Sequence, residues 1–495
     1  MRKGIRPDLG MKLFATLLLI LATVFAVHSY AGSATWNIDA NTGNWNDPLN
    51  WTPATVPNGP DDVATFDVSN TTSILSGTEE VSGILFNPGA SAFTITVYNL
   101  TISGSGVTNS SDTTQKFLVS LSSVFLGDHI LTFSNNAIAG SNTEYTAHGT
   151  SQQAVDGGEI HFNDSSSAGF AVIQIQGGSD NGAAALFFND FSTAGNATIV
   201  NYGGGHGSKN GGFIDFLNST PTAGDASISS LGGTASGAAG AFTAIANGGN
   251  ATIATYGGSV TGAGGGVTFL NNAAENATLI IYGGTNGGDG GYIFFGPDAS
   301  ADSAHFQIYG NGLLDFANFG SPTAVGSIEG DGLILLPGRE LMIGTNNLTT
   351  TFHGVVQSPG PGLGSLTKVG SGTLTLTGAN TYSGGTTVSE GSFVIRNSSG
   401  SGTGTGPVQV NEGTLGGGGT IAGAVTIGDN DGARAFLAPA AGSKRAATLN
   451  VFGALILNAD ATYSCTAKGK SDQVRSDQVK ASGVTITGAT FSFHI

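Results

Sequence analysis

The chain has 495 residues, 81 of them glycine, with only 10% charged and a net charge of −17 from 16 Lys+Arg against 33 Asp+Glu. Phosphate recognition needs clustered lysine and arginine, so this balance argues against a nucleic-acid partner. A 39% hydrophobic share with 28 Phe excludes a disordered linker, glycine without a three-residue period excludes collagen, and glycine at this density disfavours helix. An all-β, turn-dense chain is left.

Residues 1–31 read as a secretory signal peptide. Arg2, Lys3, Arg6 and Lys12 supply the positive start, Leu13–Val27 the apolar run, and Ser29-Tyr30-Ala31 the small residues of a cleavage site. The run is shorter than the ~20 residues of a membrane span. The mature chain is therefore expected to lack a span and to be secreted or held at the cell surface, with the periplasm as the alternative. The single cysteine, Cys465, allows no intrachain disulfide and reads as a small packed residue.

Residues 32–90 read as an N-terminal cap with the first strands. All three tryptophans (Trp36, Trp45, Trp51) and three prolines (Pro53, Pro57, Pro60) fall here. A solenoid needs an atypical end to cover its first coil. The competing reading is a carbohydrate-binding patch of exposed tryptophans.

Residues 91–326 read as a β-helix of about 26-residue repeats. Six segments align: GFAVIQIQGG from Gly169, GNATIVNYGG from Gly195, GDASISSLGG from Gly224, GNATIATYGG from Gly249, ENATLIIYGG from Glu275 and DSAHFQIYGN from Asp302, in steps of 26, 29, 25, 26 and 27. A second strand precedes most of them: Leu131–Phe133, Ile160–Phe162, Leu186–Phe188, Ile214–Phe216, Val267–Phe269 and Ile293–Phe295. Period-two alternation gives each strand one apolar face. A unit this small cannot bury that face alone, so the units stack as a coil of parallel strands about 4.8 Å apart, one turn per repeat.

Asn163, Asn189, Asn218 and Asn271 recur after the first strand and are expected to form an amide ladder along the stack. Asp164 and Asp190 occupy equivalent places in successive turns, which leaves a calcium site there open. His161 and His305 each neighbour a repeat phenylalanine, so alternation points them outward.

Residues 327–443 tighten to about 20 residues per turn, and residues 444–495 read as C-terminal rungs. GTLTLTGANTYSGGTTV, Gly372–Val388, closely resembles the autotransporter-associated β-strand repeat, also called the passenger-associated transport repeat. SIEGDG (Ser327–Gly332), NNLTTTFHGVV (Asn346–Val356), GSLTKVGSGTL (Gly364–Leu374) and the Thr35–Phe66 block are similar to it as well. The resemblance implies a right-handed, single-stranded parallel β-helix, exported by a bacterium with an outer membrane. Passengers of this kind include adhesins, toxins and proteins of undefined role. One departure stands out: about 68 residues follow Ile427, too few for an eight-stranded translocating barrel. The expected partners are cell-surface glycans or other surface proteins, together with a separate export system.

No G-x-S-x-G, H-E-x-x-H, H-x-H or C-x-x-C occurs. No catalytic, cofactor-binding or metal-binding residue is assigned, and no cofactor is expected. The alternative, a polysaccharide-active β-helix (hydrolase or lyase), meets a shortage of cations: only Lys116 and Lys209 lie between Lys12 and Arg339. Lys468, Lys470, Arg475 and Lys480 gather around Ser471–Lys480, which reads as an exposed loop. The acid pairs Asp61/Asp62, Glu79/Glu80 and Asp429/Asp431 sit in turn-like contexts. The expected function is an exported, non-enzymatic, passenger-like β-helix of structural or adhesin type.

Overall fold

A computed structural model describes residues 32–494 apart from 121–128, 151–156, 179–181, 206–209, 219, 318–322, 360–362, 433, 442–444 and 469–474. The signal segment 1–31, Lys209 and Lys470 lie outside the described residues. Those described form a parallel β-solenoid whose one short helical turn is Pro48–Asn50. No helix among them is long and apolar enough to cross a membrane.

The six aligned segments stack in the register that their sequences predict. Ile173, Ile199, Ile228, Ile253, Leu279 and Phe306 are successive Cα partners in neighbouring coils. All six are fully buried. The preceding strands build a second wall, a 15-stranded sheet that runs to Val355–Gln357. Its inward phenylalanines stack face to face: Phe133, Phe162, Phe188 and Phe216 follow one another at 4.8, 4.9 and 4.4 Å between ring centroids. Each buried ring removes enough apolar surface to contribute roughly 2–3 kcal/mol relative to exposure.

A third ladder closes the coil. It starts as paired strands, Val63–Phe66 with Gly83–Phe86 and these with Gly106–Asn109, and then thins to single bridges: Ile138 to Ser167, Ser167 to Thr193, Thr193 to Thr222 and Thr222 to Asn247. It grows into strands after Thr323–Gly330, where the pairing forks. Thr323–Val325 pairs with Leu341–Ile343, while Gly330 pairs with Phe352. From there two ladders of short strands continue to the end of the chain. One passes through Ser365–Lys368 and Thr386–Val388, the other through Thr373–Leu376 and Ser392–Ile395.

Three details differ from the sequence reading. Val267–Phe269 is one residue out of register: Thr268 pairs with Ile293 and points inward, so Val267 and Phe269 face out. The buried Thr268 hydroxyl is satisfied by Thr255 at 2.7 Å, and Phe269 stacks outside on Phe294 at 4.8 Å. Asn218 does not join the asparagine column, because Leu217 is the residue whose N–H bonds Phe188. Asn189 donates to Asn163 at 2.7 Å as predicted, while further along it is Asn272, the neighbour of Asn271, that donates to Asn247 at 2.8 Å. Part of Ser471–Lys480 is strand rather than loop: Arg475–Ser476 pairs antiparallel with Ala467–Lys468, and Gln478–Ile486 joins the stack.

Both ends are distinct. At the N-terminal end Trp36, Trp45 and Trp51 are 2%, 0% and 1% exposed and close around Phe66 at 5.6–6.1 Å. Their indole N–H groups donate to the carbonyls of Thr71, Pro57 and Trp45 respectively. The tryptophans are therefore packed core, and an exposed carbohydrate patch at these residues is overturned. In the last coil, Gln478–Ile486 and Thr490–His494 have hydrogen-bonded neighbours on one side. Val484, Ile486, Phe491 and Phe493 are exposed there.

Candidate functional site

The outward side chains of each wall form columns along the stack. On one wall Phe213 lies against Phe242 at 5.6 Å, and at a corner Tyr256, Tyr282 and Tyr309 follow at 4.7 and 5.7 Å. The rings lie nearly parallel, 7°, 18° and 21° between planes. Tyr282 has a stacked ring on each face and the other rings on one, which narrows the area left for a sugar ring to stack upon.

The two outward histidines are where alternation puts them, half-buried on strand surfaces. His161 Nε2 meets Glu159 at 2.7 Å and its ring lies 4.8 Å from Phe187. His305 contacts the Ser327 hydroxyl at 2.6 Å and the Glu329 carboxylate at 3.2 Å. Cys465 is buried, as expected.

Asp164 and Asp190 are in successive coils, both at positive φ (56° and 53°). Each carboxylate accepts a backbone N–H from the coil before it: Asp164 from Asn135 at 2.8 Å, Asp190 from Asp164 at 3.1 Å. These backbone donors offset part of the repulsion between neighbouring carboxylates.

Of the acid pairs, Asp429 and Asp431 are joined by Asp460, thirty residues away in sequence and missed by reading along the chain. Ligand atoms of the three lie within 4.8 Å of one another. Three such carboxylates have the chemistry of a hard-cation site. Each nevertheless organises a turn: Asp460 accepts the N–H groups of Asp429 and Asn430 at 3.1 and 3.0 Å, and Asp429 accepts that of Asp431 at 3.1 Å. The Asp431 N–H holds the Asp429 carboxyl down, but desolvation and the two neighbouring carboxylates push it above its usual value. Exposed acidic groups of this kind also gather without an ion.

In the repeat segment polar residues are turned inward. Asn380, 4% exposed, accepts the Val356 N–H at 2.8 Å and donates to the Gly402 carbonyl at 2.7 Å, so one side chain ties three coils together. The buried Tyr382 hydroxyl meets that of Thr386 at 2.7 Å. Lys368, 1% exposed, donates to the carbonyls of Val369 and Gly370 at 2.5 and 2.6 Å, and burial pulls its ammonium down to about 8. A shallow cleft of about 390 Å³ nearby is lined by Arg396, Gly418, Pro439 and Thr448 among others, with no carboxylate in its lining.

Comparison with known proteins agrees with this architecture. Residues 366–395 match the Passenger-associated-transport-repeat family. The chain is also similar to the Adhesin BmaC autotransporter of Brucella suis biovar 1 (strain 1330), 34% identical over 145 residues. That alignment covers 26% of this chain and 4% of the Brucella protein, so the chain spans a small part of that relative. No solved structure matches. The parallel coils and the matched repeat together make this chain a repeat protein similar to autotransporter passengers.

Proposed function

We propose that the chain is an exported, non-enzymatic solenoid acting at the cell surface or outside the cell as a structural or adhesin-type protein. The observation that carries this reading is the use made of polar side chains. Asn189 and Asn163, Asp190 and Asp164, and Asn380 with its two backbone partners bind neighbouring coils to one another. Side chains so engaged stiffen a long surface; they do not converge on a reacting atom. In this reading residues 1–31 are the export signal, 32–90 cap the stack, 91–326 and 327–443 form its two kinds of coil, and 444–495 its final rungs. Cell-surface glycans or surface proteins are the proposed partners.

The test is protease accessibility on intact cells with an epitope in an exposed turn, alongside a glycan-binding and depolymerisation screen of the purified protein. Cleavage on intact cells and glycan binding without product release support the proposal. A chain confined to the cytosol, or sugar release abolished by substituting one of its acids, overturns it.

A further inference from the structure

Glu79 is an ionisable residue inside the hydrophobic stack, 3% exposed and pointing into the core from Thr78–Phe86. Its register partner in the next coil is the fully buried Leu100. One carboxyl oxygen, Oε1, accepts from the Asn46 side chain at 2.6 Å and from the Gly77 N–H at 2.7 Å. The other, Oε2, is buried without a hydrogen-bond partner. Asn46 belongs to the loop between Trp45 and Trp51, so this contact joins the tryptophan segment to the first coil. The corner is tight, since a Cβ on Gly77 would lie 2.4 Å from the Asn46 amide.

The ionisable groups on surrounding elements are Asp47 beside Asn46, Asp61 and Asp62 on Gly59–Phe66, Glu80 on the outward side of the same strand, Tyr98 ahead of Asn99–Asn109, and His129 ahead of Ile130–Phe133. The bonds of Glu79 itself run to Asn46 and Gly77. A carboxylate in such a place loses hydration without gaining a counter-charge, and its neutral form is favoured.

We propose that Glu79 is a pH-sensitive latch: while neutral it lets the tryptophan segment close on the first coil, and its ionisation loosens that segment while the remaining coils stay folded. Burial raises the carboxyl from 4.5 to about 7, against the opposing effect of the two hydrogen bonds. The closed state thus binds the proton more tightly than the open one. Opening increases by up to about tenfold per pH unit between these two values and levels off above the higher.

All three tryptophans lie in the segment that moves, so their fluorescence reports the latch and far-UV circular dichroism reports the coils. In the full chain, acrylamide quenching is expected to rise from about pH 5 to about 7 and then flatten, with an unchanged dichroism spectrum. Glu79→Gln removes that dependence. Asn46→Ala, which deletes a donor favouring ionisation in the closed state, leaves the start of the rise in place and moves its levelling-off to higher pH, and decides the matter if Glu79→Gln does not fold. Quenching that is flat in the natural protein, or that rises equally in Glu79→Gln, or that levels off at the same pH in Asn46→Ala, overturns the proposal.

Discussion

The Asp190 carboxylate accepts the backbone N–H of Asp164, its equivalent one coil earlier, at 3.1 Å. The two acids are links in a column of turn caps, each occupying a left-handed backbone position. Asp190→Ala loses the acceptor and puts alanine at φ 53°, and is expected to cost about 1–2 kcal/mol. Asp190→Asn keeps an acceptor and tolerates that conformation, so it costs little. Calcium or a chelator leaves the difference between the two variants unchanged in denaturant titrations.

Phe187 and Phe188 are adjacent and opposite. Phe188 is fully buried between Phe162 and Phe216, whereas Phe187 lies outside between His161 and Phe213. Phe188→Ala opens a cavity and is expected to destabilise by about 3–5 kcal/mol. Phe187→Ala is expected to cost no more than about 1 kcal/mol. Urea unfolding of the two variants checks the difference.

Asn380→Ala leaves two backbone groups, the Val356 N–H and the Gly402 carbonyl, without their partner. A loss of about 2–3 kcal/mol is expected. Hydrogen exchange at the Val356 amide, by mass spectrometry of the surrounding peptide, is expected to accelerate in this variant. Asn380→Asp keeps the acceptor and should protect that amide.

Lys368 is held below its ordinary value, 10.5 against about 8, chiefly by burial. Between those values the folded chain holds fewer protons than the unfolded one, so the Lys368 contribution to stability rises with pH across this window. The buried Tyr145 and Tyr382, whose hydroxyls are pushed above 10, act in the opposite sense at higher pH. The stability of the natural protein relative to Lys368→Met is therefore expected to rise from about pH 8 to 10 in buffered denaturant titrations.

The coil was legible because burial imposes a simple pattern. Ala197-Thr198-Ile199 and Ala277-Thr278-Leu279 alternate cleanly, and a step of 25–29 residues brought their isoleucine and leucine into one column. Thr243 and Thr268 broke the pattern, since a hydroxyl inside the coil is tolerated once Ser230 or Thr255 satisfies it. The third ladder was illegible: a single bridge at Ser167 or Thr193 has no periodicity to read. The inward orientation of Glu79 was equally hidden, because the residues that hold it, Asn46 and Gly77, carry no charge that marks the pairing. Asp460 escaped notice because its link with Asp429 exists only after a full turn has closed.

The parallel ladders have a mechanical consequence. Bonds between coils run along the solenoid axis, so a pull on the two ends of the chain loads them a few at a time. The stack then unzips coil by coil rather than shearing as one block. With Ile173 and Ile199 marking one turn, each release pays out about 90 Å of extended chain. A protein that anchors a cell in flow would thereby lengthen in steps at modest force, and its grip would outlast a sudden tug that a rigid rod would transmit undiminished.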